Sequence, residues 1–127
     1  MMTPIGTWTA ITMDCRNPRL VAEFWGALLG GAPRLVGRED WYRIGPLVDG
    51  GPAITFQPVP EAKTSKVRTH LDVRVEDLQA AINLAANLGG SGPSETYHYD
   101  EGTVAVMADP EGNEFCLVDL VAGAVLG

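Results

Sequence analysis

Basic residues are scarce in this chain: 9 Lys and Arg stand against 16 Asp and Glu, a net charge of −7 over 127 residues. An acidic surface repels phosphate backbones, so nucleic acid is not an expected partner. Arg34, Arg38 and Arg43 come nearest to a basic cluster, and Glu39 and Asp40 interrupt it. Cysteine is limited to Cys15 and Cys116, too few for a disulfide scaffold in a chain of this length. No apolar run approaches the length of a membrane span. Met1 to Asp14 holds no basic stretch followed by an apolar one, so the expected location is the cytoplasm, away from membranes. No glycine-rich phosphate loop is present.

What is there fits one folded domain spanning 1–127. Hydrophobic residues make up 46% and charged residues 20%, which argues against disorder. A chain this long buries roughly two thirds of its unfolded surface and needs no disulfide or structural metal to fold.

The pattern repeats. Trp8 to Cys15 alternates as a strand does, and Asn17-Pro18 then opens a helix, Asn as the cap and Pro in the first turn. Leu20, Val21, Phe24, Trp25, Leu28 and Leu29 recur at helical spacing, and Gly30-Gly31 ends the run. Sixty residues on, Arg68 to Val75 alternates again and Asp77 takes the capping place. Leu78, Ala81, Ile82, Ala85 and Leu88 form the second helical face, closed by Gly89-Gly90. Three strands follow each helix: near 34–37, 41–45 and 53–58 in the first half, near 95–99, 104–107 and 114–120 in the second. Asp109-Pro110-Glu111-Gly112-Asn113 is a strong turn signal. The expected fold is α+β: two βαβββ modules, 7–58 and 67–120, joined by a polar linker at 59–66, with their mixed sheets enclosing a cleft.

Three stretches resemble a known family. D-C-R-N-P-R-L-V-A-E-F-W-G-A-L-L-G (14–30), H-L-D-V-R-V-E-D-L (70–78) and D-P-E-G-N-E-F-C-L (109–117) are similar to the strand-helix motifs and last hairpin of the vicinal-oxygen-chelate superfamily. This is the glyoxalase, bleomycin-resistance and dioxygenase group, and the resemblance is to its glyoxalase-like domain branch. It runs from about Thr7 to Leu120 and implies the paired-module fold. It does not name a reaction, because the group includes isomerases, epimerases, dioxygenases, thiol transferases and non-catalytic drug binders.

Metal-dependent members of the family carry a His, Gln or Glu ligand on the first and last strand of each module. Carried over, the resemblance places Ala10, Thr55, His70 and Cys116 at those positions. The internal repeat agrees, since Ala10 lies 60 residues before His70 and Thr55 lies 61 before Cys116. Ala10 cannot bind a metal and Thr55 is a poor ligand. No metal and no other cofactor is therefore expected. A shifted set of His70, Glu114 and Cys116 with Gln57 is the alternative.

Alternation divides each strand into two faces. Ile11, Met13, Cys15, Ile54 and Phe56 should face the first helix, and Leu71, Val73, Val75, Phe115 and Leu117 the second. The opposite faces carry Ala10, Thr12, Asp14, Thr55, Gln57, His70, Asp72, Arg74, Glu114, Cys116 and Val118, a more polar set that suits a wet or ligand-filled cleft. His70 and Glu114 are the candidate acid/base residues, because a histidine changes charge near neutral pH and a nearby carboxylate can orient its ring. Thr12, Asp14, Trp41, Thr55, Gln57, Asp72, Arg74 and Cys116 are the candidate ligand-binding residues. Arg74 could hold a substrate carboxylate or pair with Asp14. Cys116 reads as an inert thiol, with Glu114 raising its pKa. Trp41, Tyr42, Tyr97 and Tyr99 suit a flat organic ligand.

These residues, with the resemblance, imply a glyoxalase-like protein that binds a small organic molecule without metal, whether or not it is an enzyme. A homodimer is implied by the resemblance. The alternatives are a metal-dependent lyase, isomerase or dioxygenase of the glyoxalase type, and a non-enzymatic module whose sheet faces pair between chains.

Overall fold

The computed structural model describes residues 3–37 and 39–124. The chain divides into two compact units, Met1–Glu61 and Ala62–Gly127. Each is α+β, with one helix and one four-stranded mixed sheet.

The first unit runs β1 (Ala10–Cys15), α1 (Pro18–Leu29), β2 (Arg34–Leu35), β3 (Tyr42–Ile44) and β4 (Ala53–Pro58). Its strand order is β1-β4-β3-β2, with β1 parallel to β4 and the other pairs antiparallel. The second unit runs β5 (Asp72–Arg74), α2 (Leu78–Asn87), β6 (Ser91–Tyr99), β7 (Gly102–Ala108) and β8 (Glu114–Leu120). Its order, β5-β8-β7-β6, repeats the first, with β5 parallel to β8.

Both helices start where a short polar side chain can cap them. The Leu20 amide donates to Asn17 Oδ1 at 3.2 Å, and the Ala80 amide donates to Asp77 Oδ1 at 3.0 Å. Each bond satisfies a backbone donor that the first helical turn leaves without a partner. Helix α1 ends at Gly30, whose φ of 88° is the left-handed conformation that glycine adopts without strain. Its buried face runs through Pro18, Val21, Ala22, Phe24 and Trp25 and packs on β3 and β4. Leu20, expected on that face, is exposed, because Val21, Ala22 and Trp25 already fill the stripe turned to the sheet. Phe24 and Trp25 meet edge to face, with centroids 5.6 Å apart. Cys15, Ile54 and Phe56 complete the first core.

Helix α2 packs on β6 and β8. Phe115 and Leu117 are fully buried, while Leu71, Val73 and Val75 are half-buried. The turn at 109–113 is built around buried Asp109, whose Oδ1 accepts from the amides of Glu111 and Asn113 at 2.9 and 3.0 Å. Its carboxylate also receives the Asn113 side-chain amide. The motif that is most recognisable in the sequence is thus a scaffold that launches β8.

Several strands differ from expectation at their ends. β5 starts at Asp72, not Arg68. Asp72 lies opposite Cys116, so two residues earlier the chain would reach Glu114, where β8 itself begins and the ladder has no more partner. β1 starts at Ala10 opposite Ala53, the first residue of β4, and Trp8 before it is exposed. β2 and β3 are shorter than expected, which leaves Trp41 just ahead of β3. β6 is longer and reaches back to Ser91, with a register shift between Ser91 and Glu95 that absorbs Gly92 and Pro93.

Candidate functional site

The face of the second sheet turned away from α2 is defined by register. Asp72 on β5 lies opposite Cys116 on β8, Cys116 opposite Val106 on β7, and Val106 opposite Glu95 on β6. One row back, Arg74 aligns with Val118, Val104 and Tyr97. Val104, Cys116 and Val118 are buried together, with Val106 and Leu120 packed against them. The centre of this face is therefore apolar and its margins are polar. Strand β7 supplies the valines that lessen the polar character expected from the outer strands alone.

At one margin, His70 Nδ1 lies 3.2 Å from Asp72 Oδ1, both side chains being about half exposed. Donor atoms of His70, Asp72 and Cys116 all lie within 4.8 Å of one another. Burial pushes the Cys116 thiol pKa up, and the Asp72 carboxylate raises it further by charge and by accepting its proton; Lys66 acts weakly the other way. The neighbour that acts on Cys116 is thus Asp72, where the sequence pointed to Glu114. Cys15 and Cys116 are both buried, and no disulfide joins them.

Glu114 has different company. Lys63 Nζ lies 2.7 Å from its Oε1, and the Val67 amide donates to its Oε2 at 2.8 Å. Lys63 first, and the Val67 amide in support, hold its carboxyl below the ordinary glutamate range against the opposing effect of burial. The sheet thus brings His70, Asp72 and Cys116 together and commits both Glu114 oxygens to the segment before β5.

At the other margin, Tyr97 and Tyr99 stack with centroids 6.1 Å apart, and the Tyr97 hydroxyl donates to Glu95. That bond raises the Tyr97 pKa, with smaller contributions from desolvation and then from the surrounding charges. His98 Nδ1 meets the Thr103 hydroxyl at 3.3 Å on an exposed stretch.

In the first unit, the corresponding row is Thr12, Thr55, Arg43 and Arg34, one residue from each of β1, β4, β3 and β2. Thr55 is 3% exposed, and Arg43 Nε donates to its hydroxyl oxygen at 3.0 Å. Asp14 and Gln57 form the next pair, Asp14 exposed and Gln57 half-buried. Trp41 is half-buried, and its carbonyl accepts from the Val36 amide at 3.1 Å. Arg43 was not among the site residues read from the sequence. Its place opposite Thr55 depends on the length of the loop between β3 and β4, which the turn residues Gly50-Gly51 do not give.

The residues of the first unit do not fit the metal that the family resemblance implies. Ala10 offers no donor atom, and the one oxygen of Thr55 is engaged by a guanidinium, a cation where a cation would have to sit. In the second unit, His70, Asp72 and Cys116 offer three donors of suitable type, nitrogen, oxygen and sulfur.

The glyoxalase-like domain family model matches residues 10–118. No curated protein gives a significant match. Among solved structures, a glyoxalase/bleomycin resistance protein/dioxygenase family enzyme from Burkholderia phytofirmans is similar at a TM-score of 0.70 and 18% identity, over 91% of this chain and 100% of that one. A glyoxalase-related enzyme from Fulvimarina pelagi gives 0.67 and 19%, over 91% and 88%. A glyoxalase/bleomycin resistance protein from Albidiferax ferrireducens gives 0.63 and 17%, over 90% and 98%. The structures share the fold, and the match along nearly all of the two-unit plan makes this chain a member of the glyoxalase-like domain family of the vicinal-oxygen-chelate superfamily.

Proposed function

We propose that the protein binds a small organic molecule at the polar margin of its second sheet, without a metal ion. The observation that carries this reading is the pairing of His70 with Asp72 at the edge of an apolar floor made by Val104, Val106, Cys116 and Val118. His70 and Asp72, about half exposed, offer directional polar groups at the margin of this buried cluster, and partly buried Val106 offers an apolar contact. With His70 Nδ1–H donated to Asp72, the ring is oriented and Nε2 is left to meet a ligand hydroxyl or acidic C–H. Asp72 takes the orienting role, because Glu114 is committed to Lys63 and Val67.

A second reading is metal-dependent chemistry of the glyoxalase type. It is favoured by the 4.8 Å grouping of His70, Asp72 and Cys116. In that case these three residues would hold the ion, which would supply Lewis-acid polarisation of a bound oxygen.

Elemental mass spectrometry of tag-free protein purified without chelators separates the two. A folded protein with substoichiometric metal, whose affinity for aromatic ligands in a fluorescence screen drops about five- to tenfold in His70→Ala and Asp72→Asn, is the outcome expected here. Near-stoichiometric transition metal, lost in His70→Ala and kept in Glu114→Gln, establishes the second reading instead. A metal-free protein with a flat response across a broad ligand library would sink both.

A further inference from the structure

The first unit carries a cation beside Thr55, a position where family resemblance puts a metal ligand. Arg43 is half-buried on β3, and its Nε is held by the hydroxyl oxygen of buried Thr55. A guanidinium has five N–H donors, so four remain beyond Nε. Among the described residues, no carboxylate lies within ion-pair distance of Arg43, although the chain holds a large acidic excess. Thr55 accepts from Arg43, which leaves its hydroxyl proton to be donated. Arg34 lies directly opposite Arg43 on β2, and Thr12 directly opposite Thr55 on β1. Two like charges in register oppose each other and destabilise the sheet unless something of opposite charge sits between them. The whole row of four presents donors and net positive charge.

We propose that Arg43, with Thr55, Thr12 and Arg34, forms a subsite for the carboxylate of a small organic acid. The planar fork of Arg43, fixed at Nε by Thr55, matches the two oxygens of a carboxylate and needs little further ordering to receive them. Arg34 is exposed and adds charge at the outer end of the row. The fixed guanidinium does for an anionic oxygen what a bound cation does elsewhere: it stabilises negative charge without needing a proton. The half-burial of Arg43 strengthens this, because it is less screened than a charge in open water. The subsite lies within the first unit alone, and it names a ligand class: acids rather than neutral or cationic molecules.

The test is NMR titration of the whole chain with benzoate, its neutral isostere benzamide, and inorganic phosphate, following the Arg43 Nε–H signal and the Thr12 and Thr55 amides. Benzoate should shift these signals and bind about tenfold tighter than benzamide. Arg43→Gln should abolish that preference, and Arg43→Lys should restore part of it. Equal binding of benzoate and benzamide overturns the carboxylate subsite and leaves the small-molecule reading standing. Shifts with phosphate as strong as with benzoate, and equally lost in Arg43→Gln, overturn the organic-acid assignment in favour of a plain oxyanion site. No shift at Arg43 with any anion at high millimolar concentration overturns the subsite altogether. A thermal melt guards against a purely structural role. If Arg43 only braces Thr55, Arg43→Gln lowers the melting temperature by the same amount with and without benzoate. If it holds the acid, benzoate stabilises the wild-type chain alone.

Discussion

Thr55 and Cys116 occupy the same register position in the two sheets, each facing the first strand of its own unit, Thr12 in one and Asp72 in the other. From that shared point the rows diverge. The first continues to Arg43 and Arg34, the second to Val106 and Glu95. Duplication has fixed the backbone and left the chemistry free. One row now offers donors and positive charge, and the other offers a thiol, an imidazole next to it and carboxylates. Two copies of one motif thus carry different groups at the same backbone positions.

Cys116 should react slowly with iodoacetamide near neutral pH, because burial and then Asp72 raise its pKa and keep it a thiol. Asp72→Asn removes the second cause and should speed alkylation roughly two- to fivefold. Peptide mass spectrometry assigns the rate to Cys116 rather than to Cys15. The folded thiol holds its proton more tightly than the unfolded one. Its stabilising contribution is thus full below the ordinary cysteine range and is lost as pH rises through the raised folded value. An Asp72→Asn rate equal to wild type would show that burial alone controls the thiol.

The helix caps should be worth similar amounts in the two units. Asn17→Ala and Asp77→Ala each remove an acceptor for a first-turn amide and should cost about 1 kcal/mol. They cap helices in separate units, so the double variant should show the sum. Urea denaturation gives each value, and a double variant well away from the sum would reveal coupling that the caps themselves do not contain.

The parts of the fold that were legible from the sequence are those fixed by local chemistry. Asn17-Pro18 and Asp77 marked helix starts because a cap needs only its own next three residues. The limits of β4 and β8 were plain because Gly51-Pro52 and Gly112-Asn113 stop the chain before them. The start of β5 was not legible, because Arg68 to Val75 alternates as one run and the lack of a partner for its first residues depends on where β8 begins. The candidate site divides in the same way. His70, Asp72 and Cys116 come together because alternation and the parallel register are regular. Lys63 beside Glu114 depends on how a linker folds back, and Arg43 beside Thr55 depends on the length of a loop. Neither leaves a periodic trace.

Tyr97 should titrate above an ordinary tyrosine, chiefly because Glu95 accepts its hydroxyl proton and then repels the phenolate. Ultraviolet difference spectra across alkaline pH report phenolate formation, and Tyr97→Phe identifies its share of the signal. Glu95→Gln should bring that share back toward the ordinary value, because the amide carries no charge. If Tyr97 titrates alike in both proteins, the bond to Glu95 does not persist in solution.

Glu114 offers the sharpest separation between a structural and a chemical role. Its carboxylate is shielded enough for Lys63 and the Val67 amide to matter, each side chain of the ion pair being 22% exposed. Glu114→Ala should cost about 1–2 kcal/mol, and Glu114→Gln, which can still accept from Val67, about half of that. The lowered pKa sets the pH window. The folded carboxylate gives up its proton more readily than the unfolded one, so its stabilisation is present above the ordinary glutamate range and is lost as pH falls through the lowered folded value. Thermal melts from about pH 6 to about pH 3 should therefore converge for wild type and Glu114→Gln at the acid end. If Glu114 instead serves as the acid/base partner of His70, Glu114→Gln should weaken ligand binding as strongly as Asp72→Asn while leaving stability unchanged. The ion pair to Lys63 predicts the reverse: a stability loss that follows pH, with ligand affinity kept within about twofold of wild type.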